Sequence, residues 1–556
     1  MGLTRPLVLR ILKGMHVRLL FLLLALSGTI SPVLAAIELD SLEACPVFLV
    51  QPVLDADGEL LTRSDGDTIR YVFREAVPGS DAKTDQVRTY IQTNPAVTIA
   101  RKLYSFACAR NATPQKAVMV LCVTDLFGSV GPMHAPYAVE VENADGSKVL
   151  AGSFLILSDL DAQVPGTTGP TLTVDVLMTN DLLGLTLAHE SAHQVMCDRY
   201  GLKDSPAKAS LSKSGHDTNQ ISDPNLAFSE GWAEAFEAAV SDILQAQHSS
   251  PAIGHPSLRK LETSRHELIE RNRYIFEDAV SKSGRLRAGL QLISTEGVAA
   301  NLVYLSYNSR LARQYGPREA YGRVLDTLAR GKPKDVVTFW KNRMTDSAPA
   351  LRDKLHRMFV EETKYVTVDA DAPARYLGYW LPRHAFLKAT PSDPRRPQLR
   401  KESEEAEAAY RKWKAAAYQV VAASGSLDTA LPPNLDPLWV DFGYDGRVGL
   451  NLATVDQLAD LFRVAYGDSG GHLALAQRII DARDSSTCGG YFTDVAGFTK
   501  HLEPGQHAQI EQLRRDFLSH VAATRHPTII RADLARFSRQ HTFARRLLRA
   551  VAPAYH

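Results

Sequence analysis

The spacing of apolar and polar residues changes along the chain and divides it into regions. Between residues 37 and 178, short apolar runs separated by turn residues predict β-strands, among them CPVFLVQPVL, DTIRYVFREA and AVMVLCVTDLF. Two more runs, YAVEVE and KVLAGSFLILS, flank the turn residues Asn143 to Gly146 and predict a hairpin. We interpret this region as β-rich and antiparallel, with TLTVDVL (171–177) as its last strand.

Helical periodicity dominates from residue 179 to about 365. Apolar residues recur there every three to four positions in SLRKLETSRHELIERNRYIFEDAVSKSG, LQLISTEGVAANLVYLSYNSRLARQYG and REAYGRVLDTLARG. Residues 366–440 hold a proline-containing loop and a charged helix, which we interpret as a linker and a solvated or packing helix. A second helical segment (441–520) and a basic helical tail (521–556) follow.

These regions predict a multi-domain α+β protein with a β-rich N-terminal region, a mainly helical central domain and a helical C-terminal region. A chain of 556 residues is long enough for about three domains. Its 45% hydrophobic and 22% charged residues are typical of a soluble globular protein. The net charge of +1 argues against polyanion binding by the molecule as a whole.

The N-terminus has the pattern of an export signal. Four basic residues precede an uncharged run from Leu19 to Ile37 that becomes rich in small residues near its end. This predicts a signal peptide over residues 1–36, cleaved near Ala35 or Ala36, and a periplasmic or secreted protein without a membrane span after cleavage. The alternative is an uncleaved anchor, which Pro32 and the small residues disfavour.

Five cysteines are present, and an oxidising compartment would favour pairing among them. Cys108 and Cys122 are the nearest candidates for a disulfide, and the odd number leaves at least one cysteine unpaired or intermolecular. Cys197 lies two helical turns beyond His189 and is a conceivable metal ligand. It is better interpreted as a small buried apolar residue.

The stretch LTLAHESAHQVMCDRYG (185–201) carries the main chemical signal. His189 and His193 are four residues apart, about 40° around a helix axis, so both imidazoles project from one face and suit two ligands of a tetrahedral zinc ion. Glu190 is about 100° round from His189, where a carboxylate can take a proton from a metal-activated water. The alternative is a chance match on a surface helix.

Downstream, AFSEGWAEAFEAAV (227–240) completes a pattern that resembles the gluzincin metallopeptidases. The metzincin pattern is absent, because Met196 and Arg199 stand where it needs glycine and histidine. The resemblance implies that Glu230 is the third zinc ligand and that Glu234 orients a zinc histidine. The gap between His193 and Glu230 is 36 residues (230 − 193 − 1), longer than in the best-known members. The alternative for Glu230 is a solvated carboxylate favoured by the helix dipole.

The resemblance implies a zinc-dependent metallopeptidase with Glu190 as general base and a peptide or protein substrate. Such enzymes usually add a Tyr or His that donates to the developing oxyanion, and Tyr274, Tyr304 and Tyr307 are unranked candidates. The aminopeptidase signature G-x-M-E-N is missing, and GPMHA (131–135) is too weak a substitute. The alternative is a zinc-bearing envelope scaffold that cleaves nothing, which would not need Glu190.

A second resemblance covers residues 441–520. VGLNLATVDQLADLF, LALAQRIIDARD and GGYFTDVAGFTKHL are similar to the competence-type helix-hairpin-helix module, and the positions that match are Asn451, Ala453, Leu458, Ala476, Ile479, Ile480, Arg483, Gly490 and Phe492. The resemblance implies DNA binding as an alternative function. However, residues 448–528 carry seven Lys/Arg against nine Asp/Glu, whereas phosphate binding needs a positive surface. We therefore expect a fold retained for packing or protein contact and no nucleic-acid partner.

Overall fold

The structure is a computed structural model that describes most of the chain between residues 41 and 515. The described residues are 41–58, 60–65, 68–111, 117–124, 132–158, 173–201, 217–247, 256–278, 283–287, 289–309, 312, 315–369, 371–424, 439–441, 447–466, 470–484, 492, 495–509, 511–512 and 514–515. The predicted signal peptide (1–36) and basic tail (521–556) lie outside them. The described part is a mixed helix and sheet protein.

The N-terminal region contains one eight-stranded sheet in the order β5-β8-β4-β1-β3-β6-β7, with β2 paired to β3. Its strands are β1 (Val47–Pro52), β2 (Thr62–Asp65), β3 (Thr68–Glu75), β4 (Met119–Val123), β5 (Met133–Ala135), β6 (Val139–Glu142), β7 (Lys148–Ala151) and β8 (Phe154–Leu157). The predicted hairpin is confirmed, since β6 and β7 pair antiparallel around the turn at Gly146, which has a φ of 82°.

The prediction of an antiparallel sheet holds only in part, because the sheet is mixed. The pairs β1-β3, β2-β3, β5-β8 and β6-β7 are antiparallel. Strand β4 pairs parallel with both β1 and β8, and β3 pairs parallel with β6. The burial of β4 shows why its sequence is a continuous apolar run: Met119 and Leu121 face one hydrophobic core and Val120 and Cys122 face another. A strand covered on both faces is typical of parallel sheets and lacks the alternation of a half-exposed strand.

Helices fill the rest of the described chain. They are α1 (Ala82–Thr93), α2 (Pro95–Ala109), α3 (Val174–Thr179), α4 (Leu183–Tyr200), α5 (Pro224–Gln247), α6 (Pro256–Glu270), α7 (Gly289–Ile293), α8 (Glu296–Asn308), α9 (Pro317–Gly331), α10 (Val336–Thr345), α11 (Pro349–Glu362), α12 (Ala372–Lys388), α13 (Arg396–Ser424), α14 (Val455–Tyr466), α15 (His472–Asp484) and α16 (Val495–Thr499). Two short hairpins interrupt them: β9 (Phe276–Asp278) with β10 (Ser283–Leu286), and β11 (Trp439–Asp441) with β12 (Arg447–Gly449).

The last strand predicted for the N-terminal region is a helix instead. TLTVDVL leads into α3, where the Thr173 hydroxyl caps the backbone N–H of Val176 at 3.2 Å and Asp175 lies in the first turn. Both features stabilise a helix N-terminus. They outweigh the β-propensity of the two valines.

One hydrophobic core joins the helical face of the sheet to helices from α1 to α13, and it includes residues on both sides of the predicted boundary at residue 178. A separate small core, from Val448 to Phe498, holds the β12-α14-α15-α16 segment together. None of the described helices combines the length and apolar character needed to cross a membrane.

The cysteine pairing proposed from the sequence is not formed. Cys108 and Cys122 are both buried free thiols. Cys108 belongs to the core on the helical side of the sheet, and Cys122 belongs to the core on its other face. The sheet lies between them, so closeness in sequence does not become closeness in space.

Candidate metal centre

Helix α4 carries the H-E-x-x-H motif and is anchored at both ends. Asp181, with a φ of 57°, accepts hydrogen bonds from Tyr90 (3.0 Å) and Asn94 (2.7 Å), which fixes the turn before the helix. The N-cap position is Leu182, and no side chain caps the helix there. The C-cap is Gly201, whose φ of 77° is typical of glycine.

Helix α5 packs against α4 and brings the second motif to the first. The Trp232 indole donates to the backbone oxygen of Ala192 at 2.8 Å, which ties the two helices together at the residue before His193. On its other side α5 lies close to α8. A Cβ on Gly231 would approach the Cβ of Ala299 to 2.6 Å and the backbone N of Ala300 to 2.8 Å. Glycine after Glu230 is therefore required by packing.

The three predicted ligands converge on one point. The Nε2 atom of His193 lies 3.1 Å from Glu230 Oε2, and the Nε2 atom of His189 lies 3.3 Å from the same oxygen. The side chains are 15% (His189), 10% (His193) and 9% (Glu230) exposed, so the three residues are largely buried but remain accessible to solvent. These three residues form a cluster that could hold a metal ion.

Glu190 lies beside this cluster and is held by strand β5. Its Oε2 accepts a hydrogen bond of 2.7 Å from the backbone N–H of His134. Burial raises the pKa of Glu190 above its usual range, and the nearby histidines oppose that shift. A carboxylate with a raised pKa is better suited to accept a proton and then release it, as a general base must.

The carboxylate that orients His189 is Glu237. Its Oε2 lies 3.4 Å from His189 Nδ1, on the opposite side of the ring from the metal-facing nitrogen. Glu234, for which the resemblance implied this role, instead accepts from the Thr218 hydroxyl at 2.9 Å and pairs with Arg265 at 3.3 Å. His193 has a weaker partner, the Ser229 hydroxyl, at 3.4 Å from its Nδ1.

Behind His189 the carboxylates share one cation from α6. Arg265 pairs with Glu234, Glu237 and Glu262. Burial alone would raise the pKa of Glu237, but the Arg265 charge and hydrogen bonds from His189 and His266 hold that pKa well below its usual range. Burial raises the pKa of Glu262, the outermost of the three, to about 7.

This shared cation distinguishes the predicted cluster from two other groups that could hold a metal ion. Those groups are His189 with Glu234 and Glu237, and Glu237 with Glu262 and His266. Arg265 pairs with every carboxylate in both of them. A second cation there would compete with a guanidinium already in place, so His189, His193 and Glu230 are the residues whose donor set fits a metal.

The tyrosines proposed as oxyanion donors point elsewhere. The Tyr304 hydroxyl donates to Asp242, and the Tyr307 hydroxyl donates to the backbone oxygen of Ala235 at 2.6 Å. Tyr274 is buried with its ring against Gly297, where a Cβ would come within 2.0 Å of the ring. All three serve the packing of α5, α8 and their neighbours.

Two residues at the site were missed by sequence reasoning. Glu237 is seven residues from Glu230 and so lies on the same face of α5, a spacing that could have indicated it. His134 belongs to the GPMHA stretch dismissed as an aminopeptidase signature. Its ring nevertheless stacks on that of His193, with centroids 5.9 Å apart and planes at 27°. Only the tertiary packing of β5 on α4 reveals it.

The residues of the second resemblance lie in the small C-terminal core. Asn451 exchanges two hydrogen bonds with the backbone of Phe492, and Arg483 donates to the backbone oxygens of Leu450 and Ala453. Leu458, Ala476, Ile479 and Ile480 are buried with them. Gly490 lies outside the described residues. The matching residues that the structure describes therefore build the interior of this segment.

No known protein-family model matches the chain, and neither the curated proteins nor the solved structures contain a significant match.

Proposed function

We propose that this protein is a zinc-dependent metallopeptidase of the gluzincin type. The observation that carries the proposal is the convergence of two imidazole nitrogens and one carboxylate oxygen at 3.1 and 3.3 Å, with Glu190 beside them. Zinc bonds of about 2.0–2.1 Å at tetrahedral angles place neighbouring ligand atoms about 3.3 Å apart. The distances from His189 and His193 to Glu230 therefore suit a Zn²⁺ ion that these three residues would hold.

The residues around the centre have separate roles in this proposal. His189, His193 and Glu230 would hold the metal, which supplies a nucleophilic water near neutral pH and polarises the scissile carbonyl. Glu190 takes the proton of the attacking water and delivers it to the leaving amine. Glu237 holds the His189 ring with Nε2 towards the metal, and Arg265 keeps Glu237 ionised.

The sheet offers a place for the substrate. β5 is the terminal strand of the described sheet, bonded only to β8 within it, and it packs on α4 beside Glu190. An extended peptide can add to such an edge through main-chain hydrogen bonds. That arrangement would place a peptide carbonyl beside the water that Glu190 deprotonates, which supports a peptide or protein substrate.

The finer architecture and the location belong to the same proposal. The sheet and the helices up to α13 would form the peptidase body, and the segment with its own core would be a packing or protein-contact module. Export to the periplasm or the medium rests on the predicted signal peptide. A purely structural zinc site is the competing hypothesis, and the carboxylate of Glu190 at the centre speaks against it.

The experiment is digestion of a broad peptide library by the mature protein and by Glu190→Gln, with Glu404→Gln on the exposed face of α13 as the matched control. Loss of the general base should lower turnover roughly 10²- to 10⁴-fold while the metal is retained. The control should be unchanged, and a chelator should abolish cleavage. Equal turnover in Glu190→Gln, or cleavage that resists the chelator, would refute the mechanism.

A further inference from the structure

We propose that the imidazole of His134 donates the hydrogen bond that stabilises the oxyanion of the tetrahedral intermediate. This inference rests on the proposed peptidase function and assigns its missing electrophilic group. It makes His134 a catalytic residue supplied by the sheet, whereas the metal ligands and the general base come from α4 and α5.

Two contacts fix His134 relative to the reacting atoms. Its backbone N–H donates to Glu190 Oε2 at 2.7 Å, so the strand is tied to the general base. Its ring stacks on His193, with centroids 5.9 Å apart. The imidazole thus lies beside His193, one of the proposed metal ligands, while the main chain of His134 bonds to the proposed general base.

His134 is placed beside the metal cluster and is not part of it. Among the described residues, three groups of side chains bring their ligand atoms within 4.8 Å of one another, and His134 belongs to none of them. Its ring lies beside the ring of His193.

The three tyrosines considered for this role are committed to other contacts. The hydroxyls of Tyr304 and Tyr307 donate to Asp242 and to the Ala235 backbone, and Tyr274 is enclosed against Gly297. Relocating any of them would require repacking the interface of α5 and α8. His134 is a partly exposed residue of β5 at the same site.

The step balances without any further reactant. The oxygen of water forms a bond to the carbonyl carbon while its proton passes to Glu190. The carbonyl π pair moves onto the carbonyl oxygen, and a ring N–H of His134 donates to that developing charge. When the C–N bond breaks, the pair returns to re-form the carbonyl, and Glu190 gives the proton to the amine.

The alternative is that His134 only supports the His193 ring. Two substitutions separate the roles: His134→Phe keeps an aromatic ring for stacking but has no N–H, and His134→Gln keeps an N–H donor without the ring. A catalytic donor predicts that kcat falls about 10²- to 10³-fold in His134→Phe, with KM and zinc content little changed and partial recovery in His134→Gln.

A second readout does not require turnover. The cobalt-substituted protein is titrated with methylphosphonate, whose tetrahedral oxygens imitate the intermediate, and with azide, which binds a metal through one nitrogen. The visible absorption of cobalt reports both. His134→Phe should lower the affinity for methylphosphonate about 10- to 100-fold, because it loses a hydrogen bond to a charged group. The affinity for azide should change by less than about twofold.

The outcomes distinguish this inference from the proposed function. If the wild-type protein cleaves peptides and His134→Phe keeps its kcat, His134 is not the donor. Equal weakening of both anions, or loss of metal in both variants, would show a supporting role for the ring and refute the proposal. If the wild-type protein binds cobalt but cleaves no peptide, the anion titration still tests His134. A loss of methylphosphonate affinity alone in His134→Phe would support a donor, and no loss would refute it. Failure to bind cobalt at all would remove both proposals.

Discussion

The candidate metal centre and the C-terminal segment both bury polar side chains, but they satisfy them in opposite ways. In the C-terminal core, Asn451 and Arg483 are bonded to backbone groups, so each side chain substitutes for a missing secondary-structure hydrogen bond. In the candidate metal centre, two imidazole nitrogens lie within 3.3 Å of one carboxylate oxygen. The polar side chains of the C-terminal core therefore have their hydrogen-bond partners within the protein, whereas the three groups of the candidate metal centre suit a bound cation.

The difference separates two kinds of sequence match. Asn451 and Arg483 match a DNA-binding pattern, yet their contacts account for them as structural residues. The residues His189, His193 and Glu230 match a peptidase pattern, and packing alone does not account for their convergence. Buried polar groups with backbone partners indicate a fold, and groups that converge on one another indicate a site.

The largest effect is expected from removing the cation behind the site. Arg265→Ala leaves Glu234, Glu237 and Glu262 without their common partner, so the unfolding free energy should fall by about 3 kcal/mol, as for a broken buried ion pair. Arg400→Ala removes an exposed ion pair with Glu404 and is the control. It should change the unfolding free energy by less than about 0.5 kcal/mol. Urea unfolding measures both. If Arg265→Ala lowered the unfolding free energy as little as Arg400→Ala does, the ion pairs of Arg265 would not contribute to stability.

Glu237→Gln tests whether Glu237 is the carboxylate that orients His189 in the candidate metal centre. Loss of the charged partner of His189 Nδ1 should weaken metal binding about 10- to 100-fold, measured by competition with a chromophoric chelator. The matched control is Glu234→Gln, which alters the carboxylate bonded to Thr218 and should have a smaller effect. A larger loss in Glu234→Gln would restore the role that the resemblance first gave to that residue.

A smaller effect is expected in the C-terminal core. Asn451→Ala leaves the N–H and the carbonyl of Phe492 without the side chain that bonds both, which should cost roughly 1–2 kcal/mol of stability. Metal affinity and peptide cleavage should not change. If the substitution instead abolished cleavage, the C-terminal segment would be part of the catalytic machinery and the contrast between the two regions would fail.

Local spacing accounts for what the sequence could predict. The two histidines of α4 share a face because they are four residues apart, and this depends on one helix only. The positions of β1, β3, β4 and the β6-β7 hairpin followed from apolar runs and a turn signal. Glu230 came from the resemblance, and the packing of α5 on α4 brings it to the histidines.

Non-local pairing accounts for what could not be predicted. Parallel pairing of β4 with β1 and β8 is set by the path of the chain between the strands, and alternation within a strand does not encode it. Arg265 reaches Glu237 across 28 residues, and His134 reaches Glu190 across 56. Nothing in the local sequence around Arg265 or His134 predicts these contacts, because the residues meet only in the folded protein.

Metal analysis of the purified mature protein tests the central claim most directly. Elemental analysis after dialysis should find one zinc per wild-type chain and the same content in Glu190→Gln, since Glu190 is not a ligand. Glu230→Gln and His193→Ala should lose most of the metal, because each removes one of three protein ligands. A wild-type chain without zinc, or full zinc content in both ligand variants, would contradict the account.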